Sequence, residues 1–61
     1  MNKWIYDILL NDKCVMNSGD DIFSTEEEAK ADADYLIRDY LVDEYKAEPT
    51  AFEVCTFCAI L

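Results

Sequence analysis

The chain has 61 residues, and its 14 acidic against five basic side chains give a formal net charge of −9 at pH 7. A chain this short makes a single domain, residues 1–61, and buries only about 60% of its unfolded surface. Its composition, 52% apolar with one Gly and one Pro, is that of a folding chain rather than a disordered one. The charge argues against direct binding to nucleic acid or to an anionic membrane surface, since both attract Lys and Arg.

Two strands joined by a tight turn are predicted at the start of the chain. Aromatic and β-branched residues dominate residues 4–10, and residues 13–17 form the return strand. Asn11 and Asp12 both tolerate positive φ, which suits a two-residue hairpin turn. This register places Val15 opposite Ile8. Residues 18–21 come next as a loop.

A single helix is predicted next, from Thr25 to about Tyr45. Thr25 is a suitable N-cap, and Glu28 three residues later completes a capping box. Pro49 stops the helix, and residues 51–60 form a third strand. The apolar residues of the helix fall on one stripe, which consists of Ala29, Ala33, Leu36, Ile37, Tyr40 and Leu41.

The element order β-β-α-β predicts an α+β fold, with one helix packed on one face of a three-stranded antiparallel sheet. Strand order 2-1-3 makes every neighbouring pair antiparallel and gives a right-handed crossover. Alternation along the strands assigns a core face under the helix, made of Trp4, Tyr6, Ile8, Leu10, Phe52, Val54, Cys58 and Ile60.

The opposite face of the sheet is left without a covering layer. It is mixed in character but too apolar for plain solvent, which makes it a candidate partner surface or homodimer interface. Its apolar residues are Ile5, Leu9, Met16, Cys55 and Phe57, and Asp7, Cys14 and Glu53 lie among them.

Two short motifs overlap on Cys58. Cys55 and Cys58 have C-x-x-C spacing, but residues three apart on a strand point to opposite faces, and the chain has no His to complete a zinc site. Residues 58–61 match a C-a-a-X prenylation signal, which normally occupies a flexible tail rather than a strand. We therefore favour a plain strand at this position.

Catalysis and cofactor binding have little support in the sequence. Residues 17–28 align with a calcium-binding loop, but Ile22 occupies the position that requires Gly. The chain lacks His and a glycine-rich phosphate loop, and no Ser or Cys lies beside an obvious base. We expect no catalytic residues, no metal and no cofactor.

The location of the protein is predicted from the lack of membrane-spanning and targeting patterns in the sequence. No apolar run approaches the roughly 20 residues of a membrane span, and no signal-peptide pattern begins the chain. We expect a cytoplasmic protein that has no contact with membranes. Three cysteines make no disulfide framework, so we expect buried thiols in a reducing compartment.

The acidic helix is the most informative feature for function. Glu28, Asp32, Asp39 and Asp43 are predicted along one flank, at spacings of 4, 7 and 4 residues. Like charges at i,i+4 cost an isolated helix about 0.2–0.5 kcal/mol each. A row of carboxylates at such intervals could imitate a nucleic-acid backbone and bind the basic surface of a protein. The alternative is that these acids only keep the chain soluble.

A second patch is predicted on the helix, away from its apolar stripe. Tyr35 and Val42 are seven residues apart, and Arg38 lies between them. Exposed Tyr beside Arg is typical of contact hot spots, although a single exposed Tyr is also ordinary.

In its hairpin and capped helix the chain resembles a family of small acidic ββαβ proteins of phages, mobile elements and low-GC bacteria. The resemblance rests on Trp4-x-Tyr6-x-Ile8 with Asn11, and on Phe23-x-Thr25 followed by Glu26-Glu27-Glu28-Ala29. Some proteins of that setting inhibit host defence, including anti-CRISPR and anti-restriction DNA mimics. The resemblance implies a bacterial or phage-infected host cell and a nuclease or other nucleic-acid-binding protein as partner.

The sequence therefore predicts a non-enzymatic protein-binding module, in its sharpest form a DNA-mimic inhibitor of a nucleic-acid-binding host-defence protein. The alternative is a small accessory or structural protein that self-associates through its open sheet face and uses its charge for solubility.

Overall fold

The computed structural model describes residues 2–60, with side chains described for residues 3–58. Two strands, β1 and β2, form a hairpin, one long helix comes next, and a third strand, β3, completes an antiparallel sheet of order β2-β1-β3. The predicted α+β class, element order and strand order are confirmed. The strands span Asn2–Leu10 (β1), Lys13–Asn17 (β2) and Phe52–Ile60 (β3).

The hairpin turn forms at the two residues that were expected to make it. Asn11 has a φ of 55° and Asp12 a φ of 65°, the two left-handed conformations that a type I′ turn requires. Asn and Asp enter this region at lower cost than other residues with a side chain. The turn therefore fixes the start of the β1–β2 register at Leu10 and Lys13.

The register then shifts by one residue, so the expected pairing of Val15 with Ile8 is wrong. Leu9 pairs with Cys14, but Ile8 pairs with Met16, which leaves Val15 as the extra residue of a β-bulge. The bulge turns Met16 onto the side of the sheet that carries Ile8. Val15 and Met16 both pack against the core, so Met16 does not belong to the open face.

The helix begins with the predicted cap. Thr25 Oγ1 accepts a hydrogen bond from the backbone N–H of Glu28 at 3.2 Å, and its hydroxyl donates to Glu28 Oε1 at 3.4 Å. Three glutamates in the first turn favour the positive end of the helix dipole. Regular α-helix, α1, extends over Glu26–Leu36.

A wide π-turn interrupts the helix at Ile37–Leu41, after which a last α-helical turn, α2, spans Val42–Tyr45. The buried helix residues are Ala29, Ala33, Ile37 and Leu41, which are spaced four residues apart. In a regular α-helix such a stripe drifts about 40° around the axis at every step. A π-turn holds more residues per turn, so it opposes this drift and keeps Leu41 over the sheet.

The π-turn moves two residues from their predicted positions. Tyr40, expected in the apolar stripe, is 50% exposed. Val42, expected on the outer side of the helix, is half-buried and packs against the core. Both corrections have one cause, because an extra residue in a turn rotates the residues after it relative to the residues before it.

The core lies between the helix and the even-numbered residues of β1. Tyr6 is 1% exposed and Ile8 is fully buried beneath the four stripe residues, and Phe52 at the start of β3 closes the end. Lys46 ends the helix with a φ of 54°, in the left-handed conformation that often terminates helices. Pro49 begins a short 3-10 turn that leads into β3, consistent with its predicted role as a stop.

Because of the π-turn, we expect two single-residue deletions in the helix to lower stability by different amounts. Deleting Asp39 removes one residue from the π-turn and lets the turn become α-helical, so we expect a regular helix with a small loss of stability. Deleting Ala31 rotates Ala29 away from the rest of the stripe and should cost at least about 2 kcal/mol. Urea unfolding followed by circular dichroism measures both. An equal loss in the two variants would contradict this account of the turn.

Candidate partner-binding surfaces

One carboxylate of the predicted acidic flank is joined to the core. Asp32 is half-buried, and its Oδ2 accepts a hydrogen bond of 2.5 Å from the Tyr6 hydroxyl, which reaches it from β1. Burial is the main cause that raises the pKa of Tyr6 above its usual value near 10, and the hydrogen bond and charge of Asp32 add to it. Asp32 thus holds the helix to the central strand.

The other three residues of the flank are exposed. Glu28 takes part in the N-terminal cap, so its carboxylate also has a structural partner. Asp39 lies in the π-turn and Asp43 in α2, so they are not on regular α-helical spacing with Glu28 and Asp32. The four carboxylates therefore divide into a structural pair at the helix start and an exposed pair, Asp39 and Asp43, near its end.

Few bases neutralise the helix. Over residues 3–58, the structure has two ion pairs, both i,i+4 pairs on the helix surface: Lys30 with Glu26 at 3.9 Å and Arg38 with Asp34 at 3.0 Å. Such exposed pairs contribute little to stability. Neither pair involves Asp39 or Asp43, so the negative charge of this part of the helix is left for solvent or a partner.

The predicted patch of Tyr35, Arg38 and Val42 is not assembled as expected. Tyr35 is 62% exposed, but the guanidinium of Arg38 is held by Asp34, and Val42 packs on the core. Tyr40 is exposed instead. We define the Tyr–Asp patch as four exposed residues on this half of the helix, Tyr35, Asp39, Tyr40 and Asp43; Arg38, Glu44 and Tyr45 are also exposed nearby.

The open face of the sheet has the predicted residues except Met16. Ile5 pairs with Phe57, which is 49% exposed, and both lie on the side of the sheet away from the helix. Leu9 and Cys55, both half-buried, continue this face along β1 and β3. Asp7 pairs with Cys55, so a charge interrupts the apolar surface near its middle.

The cysteines are less buried than the sequence suggested. Cys58 pairs with Trp4 on the helix side of the sheet but is exposed, two residues beyond Thr56, where Glu26 of the first helical turn makes its hydrogen bond. Cys14 is also exposed, and Cys55 is half-buried. Cys55 and Cys58 lie three residues apart on β3, the strand arrangement on which the argument against a C-x-x-C site was based. The side chain of Ile60 and all of Leu61 lie outside the described residues.

Two structural contacts had no counterpart in the sequence prediction. Ser18 is buried, and its Oγ accepts a hydrogen bond from the Tyr6 N–H at 3.2 Å. Phe23 forms a two-way backbone bridge with Trp4, with N–O distances of 2.8 and 3.0 Å. These contacts tie the loop before the helix to β1. A polar Ser and a lone Phe in a loop give no periodic signal, so spacing could not have found them.

Among the described residues no pocket is found, and no three side chains of His, Cys, Asp or Glu come together as metal ligands would. Within the same part of the chain, no helix has both the length and the apolar character needed to cross a membrane. Comparisons with known protein families, with curated proteins and with solved structures find no match to this chain.

The Tyr6–Asp32 hydrogen bond predicts a loss of stability at alkaline pH. The pKa of Tyr6 is raised by folding, so its contribution is complete below pH 10 and is lost as the pH rises further towards the folded-state pKa. Above about pH 10, we expect this group to lower the free energy of unfolding by up to about 1.4 kcal/mol per pH unit. Tyr6→Phe should remove that part of the slope.

Urea unfolding at a series of alkaline pH values measures the slope in each variant. Tyr35→Phe is the matched control, because it removes an exposed tyrosine that has no hydrogen bond to Asp32. It should keep the slope of the original chain. Equal slopes for Tyr6→Phe and Tyr35→Phe would show that the buried phenol does not govern alkaline stability.

Proposed function

We propose that the protein is a non-enzymatic binding module that uses the Tyr–Asp patch of its helix to contact a basic surface on another protein. The observation that carries the proposal is the exposure of Asp39 and Asp43 without an ion-pair partner among residues 3–58, in a chain with a formal net charge of −9. Such a charge attracts basic surfaces and accelerates their association.

The two tyrosines of the patch support protein contact over mere solubility. Tyr35 and Tyr40 are both at least half exposed, and they lie close in sequence to the two carboxylates. Tyrosine is enriched at interfaces because it offers a large contact area with few rotatable bonds and a polar tip. A helix that needed only solubility would gain nothing from exposing aromatic rings.

A basic surface that normally binds nucleic acid is the partner class that fits best. Asp39 in the π-turn and Asp43 in α2 are four residues apart, so two negative charges lie close together on the helix. Closely spaced negative charges are also what a nucleic-acid backbone presents to a basic surface. In this sharpest form of the proposal, the protein is a DNA-mimic inhibitor that occupies the groove of a host-defence protein, as the resemblance to acidic phage proteins implies.

The proposal predicts that binding to a basic partner depends on the charges of Asp39 and Asp43 but not on those of Asp12 and Asp20. In the Asp39→Asn/Asp43→Asn variant, binding to a basic partner should weaken at least about tenfold, because two charge-assisted contacts are lost. Asp12→Asn/Asp20→Asn is the matched control. It removes the same net charge from two exposed positions in the β1–β2 turn and in the loop before the helix.

The measurement uses each variant immobilised and exposed to a lysate of bacterial cells, with duplex DNA as competitor. The proposal expects proteins that the original chain and the control retain, that the Asp39/Asp43 variant releases, and that excess DNA or added salt displaces. Binding that survives the Asp39/Asp43 change, or that DNA fails to displace, would refute the DNA-mimic form.

A further inference from the structure

The outer edge of β3 is unprotected. In the described part of the chain, β3 pairs with β1 on one side, and no strand pairs with its other side. The helix lies over one face of the sheet, where Glu26 accepts a 2.6 Å hydrogen bond from Thr56 on β3. A strand at the edge of a sheet presents a row of N–H and C=O groups that can pair with another chain.

The other edge of the sheet is protected in three ways that β3 lacks. β2 has five residues against nine in β3, it carries the exposed Lys13 at its start, and it contains the bulge at Val15. Short length, Lys and bulges are the usual devices that prevent edge pairing. β3 has no Lys, Pro or bulge along its pairing with β1, and Glu53 is its one charged residue.

We propose that a second copy of this chain pairs with β3 along this edge, antiparallel and in the register that overlaps the whole strand. The middle residue of Phe52–Ile60 is Thr56, so it would lie on the two-fold axis. An antiparallel strand pair is compatible with such an axis, and two-fold dimers are the commonest protein assemblies. The product is a continuous six-stranded sheet.

The charges on β3 fit this register. Glu53 comes opposite position 59 of the second copy, where the sequence has Ala, so no like charges face each other. Of the chain's 14 acids, β3 carries one, Glu53, so its open edge has little charge to oppose pairing. A chain that avoided self-pairing would place its many acids there, as edge strands commonly do.

The apolar residues beside the edge also fit a second copy. Cys55 comes opposite Phe57 of the second copy, and the two Phe57 rings become diagonal neighbours across the new strand pair, a distance that aromatic side chains can span. Ile5 adjoins Phe57 on β1, so the apolar surfaces of both open faces become continuous across the seam. The half-exposed Phe57 gains apolar neighbours that a single copy does not offer.

Salt separates this proposal from the proposed function. Two copies with a net charge of −9 each repel one another, and added salt screens that repulsion, so the dimer should tighten as salt rises. Binding of the Tyr–Asp patch to a basic surface should weaken under the same change. The dimer is also measured on the chain alone, so either proposal can fail without the other.

The test is the mass of the chain in solution, by sedimentation equilibrium from micromolar to millimolar concentration with reductant present throughout. We expect a rise from 7.1 kDa towards twice that value. Cys55→Lys places a charge opposite Phe57 of the second copy and should raise the dissociation constant at least about tenfold. Cys14→Lys makes the same change on the far edge of the sheet and should leave the constant within about twofold.

Amide hydrogen exchange on the original chain provides a second test, which does not depend on whether the Cys55→Lys variant folds. Alternate amides of β3 point away from β1, and in the original chain they should gain protection as concentration rises. The amides of β2 should not. A mass of one chain at every concentration would overturn the proposal, as would a dimer that Cys55→Lys leaves intact or that protects β2 instead.

Discussion

One helix can cover only one face of a three-stranded sheet, and most of the structure depends on that constraint. The helix contributes four buried residues, Ala29, Ala33, Ile37 and Leu41, and all apolar burial in the core is organised around them. Two of the four are alanines, so the helix approaches β1 closely enough to bury Tyr6 and Ile8 almost completely. The other face of the sheet, and the edge of β3, receive no such layer.

The same constraint favours an irregular helix. Apolar residues at every fourth position of a regular α-helix turn progressively away from the sheet. The π-turn corrects that rotation, but it also exposes the Tyr40 ring on the helix surface.

The Tyr6–Asp32 hydrogen bond connects the acidic surface to the core. Burying part of a carboxylate costs free energy unless a hydrogen-bond donor replaces the water that it loses. The phenol of Tyr6 meets one of these carboxylates at the boundary of the core. Because Asp32 has this role, its replacement would change folding and charge together, which is why the exposed Asp39 and Asp43 are the informative positions for binding.

Local signals in the sequence were sufficient for the main elements. The Asn11–Asp12 turn, the Thr25 cap and the alternation in β1 each depend on neighbouring residues, and each was predicted correctly. The bulge at Val15 and the π-turn were missed, because each adds one residue without leaving a distinct local pattern. Those two shifts misplaced Met16, Val42 and Tyr40. Neither the exposure of Cys58 nor the bond from Tyr6 to Asp32 could be read from spacing, because both depend on where the helix lies over the sheet.

The two proposed surfaces would reinforce one another if both are used. A two-fold axis perpendicular to the sheet keeps both helices on the same face of the six-stranded assembly, so two Tyr–Asp patches would be presented to the same side. A basic groove that binds nucleic acid extends over many phosphates, and two linked patches could engage it with greater avidity than one. The repulsion that opposes pairing would then be relieved by the partner itself, because a basic surface neutralises both helices at once. A partner of that kind would favour the dimer even at low salt, where the chain alone is driven apart.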